Sequence, residues 1–152
     1  MPFAAEFVPC DTSLRAGADN NRRLLVVDQQ HAFVDFARLA AQRLGYETEV
    51  VTDPRGLAER MRAWRPHVLV IEIVLPELDG FEIVQLLTEQ GFDGELVLVT
   101  AHDPRYLDLA RKSAEARGLR VAASLAKPVR AAEMIQALER CAPAASAMRS
   151  AI

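Results

Sequence analysis

The chain has 152 residues, 51% hydrophobic and 26% charged, with a formal net charge of −3 and a pI near 5.6. That balance fits one folded domain with a sizeable core and excludes a disordered acidic chain. With no basic stripe or interleaved aromatic set there is no footing for nucleic acid, and no apolar run approaches the ~20 residues that span a bilayer. The two cysteines, Cys10 and Cys141, have no CxxC or metal-ligand spacing and are read as thiols of a reducing, cytoplasmic setting.

Residues 1–21 are mixed and non-periodic, without the basic start and apolar core of a signal peptide, and are expected to be a flexible leader. A first apolar run, Arg23–Val27, reads as a buried strand ending in Asp28. Phe33, Phe36, Ala37, Ala40, Ala41 and Leu44 then recur at helical spacing, predicting a helix from about His31 to Leu44, stopped by Gly45. Glu47–Val51 is a short strand. Asp53-Pro54 pairs a cap with a first-turn proline and opens a second helix through about Trp64. Pro66 separates that helix from the apolar strand Val68–Ile73. Asp79-Gly80 precedes a third helix, about Phe81–Gln90, with Phe81, Val84 and Leu87 expected inward and Ile83 as a further candidate.

Glu95–Thr100 reads as a fourth strand, and Asp103-Pro104 starts a fourth helix that runs to about Arg117 before Gly118. Arg120–Ser124 is the fifth strand and Arg130–Cys141 the last amphipathic helix. Residues 142–152, rich in small side chains, are expected to fray, which leaves 22–141 as the domain proper. Strands alternating with helices predict a doubly wound α/β fold: a five-stranded parallel sheet with five helices on its two faces.

If those strands lie parallel, Asp28, Glu72, Thr100 and Lys127 all fall at carboxyl ends, where ligands of open α/β sheets bind. Around them stand Leu75-Pro76-Glu77-Leu78-Asp79-Gly80, Ala101 and Pro128. This set resembles the receiver domain of two-component response regulators over about Arg22 to Cys141. The resemblance implies the flavodoxin-like strand order 2-1-3-4-5. It places the family's acidic pair on Asp28 and Gln29, its phosphoaccepting aspartate on Glu72, its switch hydroxyl on Thr100 beside Ala101, and its lysine on Lys127 before Pro128. Val74 joins the acidic pocket.

Two of the three acidic positions differ from the family's pattern. Gln29 offers an amide in place of a carboxylate, and Glu72 is longer than aspartate by about 1.5 Å, against a tolerance of roughly 0.5 Å in a preorganised site. Mg²⁺ wants oxygen ligands in near-octahedral order, so no cofactor is expected beyond a weak, water-rich Mg²⁺ site at Asp28, and no enzyme activity. Two roles stay open for Glu72. It could mimic a phosphoryl group towards Thr100 and Lys127, or it could be half of a structural ion pair.

The reading that follows is an atypical, stand-alone receiver acting as a phosphorylation-independent interaction module. The alternative is a working phosphoacceptor that takes a phosphoryl group at Glu72, with Mg²⁺, from a histidine kinase. A DNA-binding regulator lacks an output segment in the sequence, and a flavin carrier lacks a phosphate-binding loop. Partners implied are a sensor kinase, a phosphotransfer protein, a cyclic-di-GMP signalling enzyme or a second copy of the chain, with neither nucleic acid nor membrane. The family's interaction face falls on Arg105, Tyr106, Leu109, Ala122, Arg130, Glu133 and Ala137. Ser124 stands where the family usually carries a switching aromatic. His102 reads as a loop residue, and Gln29 and Gln30 as either amide ligands or surface hydrogen-bonders in the loop after the first strand.

Overall fold

A computed structural model of the chain describes residues 22–141. In chain order these form β1 (Arg23–Val27), α1 (His31–Arg43), β2 (Glu47–Val51), a 3-10 turn (Pro54–Gly56) running into α2 (Leu57–Trp64), and β3 (Val68–Glu72). There follow α3 (Gly80–Glu89), β4 (Glu95–Thr100), α4 (Arg105–Ala116), β5 (Arg120–Ala126) and α5 (Ala131–Cys141). All strand pairs are parallel, in the order β2-β1-β3-β4-β5. The expected leader, 1–21, and tail, 142–152, lie outside the described residues.

The sheet is apolar on both faces because helices cover both, so its central strands read as continuous hydrophobic runs. Strand alternation sends Leu25, Val27, Leu69, Ile71, Leu96 and Leu98 to one side, against Leu57 and Met61 of α2, Ile83 and Leu87 of α3, and Leu107 and Ala114 of α4. The other side carries Leu24, Val26, Val68, Val70, Val97 and Val99 against Phe33, Ala37 and Ala41 of α1 and Met134, Ala137 and Leu138 of α5. Small side chains on α1 and α5 let those helices lie close to the sheet. A fully buried Leu or Val of this kind stabilises the fold by about 1.5–3 kcal/mol.

Local chemistry fixes the helix ends. Asp79 caps α3, its Oδ1 accepting the Glu82 N–H at 2.9 Å while Glu82 Oε1 accepts the Asp79 N–H at 2.9 Å, a reciprocal capping box. Asp53 accepts the Arg55 N–H at 3.0 Å, and Asp103 accepts the Arg105 N–H at 2.9 Å although Pro104 is the residue that opens α4. The Arg23 guanidinium donates to the Trp64 carbonyl at 2.7 Å and the Arg65 carbonyl at 2.8 Å, tying β1 to the last carbonyls of α2. Gly94 precedes β4 where a Cβ would stand 2.1 Å from the His67 carbonyl oxygen, so the turn requires glycine.

Four expectations are corrected. β5 continues two residues past Ser124, to Ala126, through an irregular register in which Leu96 pairs with Val121 but Val97 with Ala123. That leaves Ala122 as an extra residue on β5, the signature of a bulge. β3 ends at Glu72 rather than Ile73. Phe81 points outward, 63% exposed, because α3 buries the stripe of Ile83, Val84 and Leu87. Ala137, expected on an interaction face, is 1% exposed and packs into the core beneath α5. The remaining differences are end-fraying of a residue or so.

Candidate functional site

Parallel strands bring every carboxyl end to one edge of the sheet. Asp28, Glu72 and Thr100 are the buried polar residues there, at 2%, 5% and 0% exposure. The Lys127 side chain, just past β5, is 8% exposed. All four predicted strand-end residues therefore meet.

Glu72 is the centre of the cluster. Its Oε2 accepts the Val74 N–H at 3.0 Å and the Thr100 hydroxyl at 2.8 Å. Its Oε1 accepts the Ala101 N–H at 3.2 Å and lies 3.2 Å from Lys127 Nζ. A carboxylate has about four lone-pair sites; here three accept hydrogen bonds and the Lys127 ammonium supplies an ion pair. A buried carboxylate without partners would be costly; this one is fully satisfied. Its donors come from the β3–α3 loop, the end of β4, the β4–α4 loop and the end of β5, so one side chain ties four segments together.

Lys127 is equally saturated. Its Nζ donates to Asp28 Oδ2 at 2.7 Å and to Gln30 Oε1 at 2.8 Å, and is ion-paired with Glu72 Oε1 at 3.2 Å. An ammonium has three donors. The Phe33 ring lies beneath it, 4.4 Å from Nζ to the ring centroid, a cation–π contact on its remaining side. The Lys127 N–H also donates to the Thr100 carbonyl at 2.9 Å, and the following Lys127-Pro128 peptide is cis. Asp28 uses its other oxygen, Oδ1, to accept the Gln30 N–H at 2.9 Å.

The remaining predicted residues scatter. Val74 contributes its backbone N–H, and Ala101 likewise. Gln29 is exposed at the mouth of a pocket of about 130 Å³ that also touches Asp28, Glu72 and His102. Ser124 sits exposed on β5 opposite Leu98, and Pro128 is exposed. Arg105, Tyr106, Leu109 and Arg130 are exposed, whereas Ala122 and Glu133 are half-buried. Asp79 is spent on its capping box and lines a separate apolar pocket of about 330 Å³ between α3 and α4. Two contributors escaped the sequence reading. Gln30 was open between an amide ligand and a surface hydrogen-bonder, without its bond to Lys127, and Phe33 looked like core alone; the nearness of Gln30 to Asp28 in sequence was the available signal for the first.

The donor set does not fit a resident Mg²⁺. The metal requires carboxylate or carbonyl oxygens with lone pairs to spare. Both Glu72 oxygens are engaged by hydrogen bonds and by Lys127, each Asp28 oxygen already accepts a hydrogen bond, and Gln29 is a neutral amide at the surface. Among the described residues no three His, Cys, Asp or Glu side chains are grouped to hold a metal ion.

A doubly wound parallel sheet with a polar cluster at its carboxyl edge defines a flavodoxin-like α/β domain. Residues 24–139 match the family model of the response regulator receiver domain, and the chain belongs to that family, a component of two-component signalling. Among curated relatives it is 27% identical over 86 residues to the alkaline phosphatase synthesis transcriptional regulatory protein PhoP of Bacillus subtilis, covering 57% of this chain and 36% of that protein. It is 33% identical over 81 residues to the response regulator MprA of Mycobacterium ulcerans, covering 53% and 35%. The matched segment is thus about a third of those relatives' length.

Two solved structures share the fold. The chemotaxis response regulator CheY4 of Vibrio cholerae superposes with a TM-score of 0.65 at 22% identity, over 80% of this chain and 98% of that one. The receiver domain of the Francisella response regulator 1452 gives 0.68 at 21%, over 82% and 99%. No helix among the described residues is long and apolar enough to cross a membrane.

Proposed function

We propose that this receiver domain signals through protein contacts without taking up a phosphoryl group, Glu72 standing where the family carries its phosphoaccepting aspartate. The observation that carries this reading is the engagement of both Glu72 oxygens: Oε2 accepts from Val74 and Thr100, and Oε1 accepts from Ala101 and is ion-paired with Lys127. A nucleophilic carboxylate needs a free oxygen facing the donor, in line with the leaving group. Here an attack would first break a buried hydrogen bond or the Lys127 contact.

The same contacts support a mimic. A phosphoryl group on a receiver would draw in the switch hydroxyl and the lysine; the longer glutamate reaches both unaided, at 2.8 and 3.2 Å. It does so with one negative charge instead of the −1.5 to −2 of a phosphoryl group. Thr100 is held inward and the start of the β4–α4 loop is fixed, which sets the position of exposed Arg105 and Tyr106 on the surface read as the partner face. The partner is a sensor kinase, a phosphotransfer protein, a cyclic-di-GMP signalling enzyme or a second copy of the chain.

The experiment is intact mass after incubation with acetyl phosphate and excess Mg²⁺, with an ordinary receiver as positive control. No adduct is expected. A stoichiometric phosphoryl adduct on Glu72 would overturn the proposal and make the chain a phosphoacceptor with a non-standard acceptor.

A further inference from the structure

We infer that the Lys127 ammonium is the resident cation of this pocket, filling the place that a divalent metal would take and closing the site to one. Its Nζ lies within 3.2 Å of three oxygens on two segments, Asp28 Oδ2 and Gln30 Oε1 of the β1–α1 loop and Glu72 Oε1 at the end of β3, which is a cation-ligand arrangement with nitrogen at its centre. The Phe33 ring backs the fourth side. Hard divalent cations are bound by the same ligand types, carboxylates and amide carbonyls.

The charge balance points the same way. Two buried carboxylates and one buried ammonium leave a single net negative charge, which the N–H groups of Gln30, Val74 and Ala101 and the Thr100 hydroxyl absorb. A dication added beside the ammonium would leave one excess positive charge in a buried site, and one that displaced it would have to break two hydrogen bonds and an ion pair. Without the lysine charge the pocket holds two negative charges and three oxygens stripped of their donor at one point. A divalent cation is the ligand that such a pocket would take. The neutral Gln30 carbonyl suits this arrangement, since a third carboxylate beside Asp28 would demand more positive charge than one ammonium supplies.

This inference goes beyond the proposed function and does not depend on whether Glu72 is phosphorylated, because its probe is a metal alone. The full chain, ¹⁵N-labelled, is titrated with Mn²⁺ and the paramagnetic broadening of individual backbone amides is followed. In the wild type the amides of Gln30, Val74 and Ala101 should keep their line widths. In Lys127→Met the same amides should broaden saturably, with an affinity at least roughly tenfold tighter than any wild-type binding there, and the gain should vanish in Lys127→Met/Asp28→Asn. Lys127→Gln, which retains a donor towards Asp28, is the second variant should the methionine fail to fold. Broadening of the pocket amides in the wild type at the variant's affinity overturns the inference. So does a folded variant that binds Mn²⁺ no better than wild type.

Discussion

Thr100 Oγ1 donates to Glu72 Oε2 at 2.8 Å and at the same time accepts the His102 N–H at 3.1 Å, so one hydroxyl ties the end of β3 to the loop that starts α4. Both partners of the first bond are buried. Thr100→Val keeps the shape and removes donor and acceptor together. The expected loss is about 1–3 kcal/mol, the usual consequence of leaving a buried polar group unmet, seen as a lower urea midpoint with an unchanged slope. Thr100→Ser should recover most of it. Glu72→Gln should be worse than Thr100→Val, because either orientation of the amide turns an NH₂ towards two donors and the Lys127 contact loses its charge.

Tyr46 closes the opposite side of the molecule. Its hydroxyl donates to the Leu138 carbonyl at 3.2 Å, and burial, its largest cause, pushes the phenol up to about 12. The folded state therefore resists ionisation more than the unfolded state, whose phenol titrates near 10. Stability from this group is whole below pH 10 and is lost as the pH rises from about 10 towards 12, on the order of 2 kcal/mol. Tyr46→Phe should cost about 0.5–1.5 kcal/mol at neutral pH and should lose less stability than wild type between pH 9 and 11. Parallel pH dependence in both proteins, by chemical unfolding, would remove the argument.

Gly94 makes a packing prediction. A Cβ at this position meets the His67 carbonyl oxygen at 2.1 Å, and that oxygen already accepts the Glu95 N–H at 3.0 Å. The His67 carbonyl is backbone and cannot swing away as the Phe92 ring, also 2.8 Å from that Cβ, could. Gly94→Ala should lower stability by about 1–3 kcal/mol, in the range of overpacked sites, whereas Phe81→Ala on the exposed surface should stay within about 0.5 kcal/mol of wild type. Thermal melts of the two variants side by side check both.

Much of this fold was legible because its central strands are apolar on both faces and end in polar residues, which marks strand, terminus and cluster at once. Asp28, Glu72 and Thr100 were found on that pattern, whereas Lys127 follows the half-exposed edge strand β5 and was placed by the end of a late segment and the family resemblance. Phe81 was not, because the periodicity fixes a helix but not its phase: at roughly 100° per residue it lies well off the centre of the Ile83, Val84 and Leu87 stripe. The β5 extension escaped because the extra residue at Ala122 breaks the two-residue alternation. Gln30 and Phe33 escaped for another reason. Their contacts to Lys127 span nearly the whole domain in sequence, and nothing local marks an amide or a ring as the neighbour of a distant ammonium.

His67 sits at the amino edge of the sheet and joins three strands. Its N–H donates to the Arg23 carbonyl at 2.8 Å, its carbonyl accepts the Glu95 N–H at 3.0 Å, and its Nδ1 accepts the Arg23 N–H at 2.9 Å. An Nδ1 that accepts must be unprotonated. Desolvation, followed by the positive charges of Arg23 and Arg22, holds its pKa below 6.5, with Asp93 opposing. In the unfolded chain the imidazole charges near pH 6.5, while in the folded one it stays neutral to lower pH. The unfolded state then binds more protons, so the stability associated with neutral His67 is present above pH 6.5 and is lost as the pH falls through the depressed folded value. His67→Asn places an amide oxygen where Nδ1 accepts and carries no titrating group. The variant should lose less stability than wild type between pH 7.5 and 5.0 in urea unfolding. An equal or larger loss in the variant would show that the acid sensitivity of the sheet edge arises elsewhere.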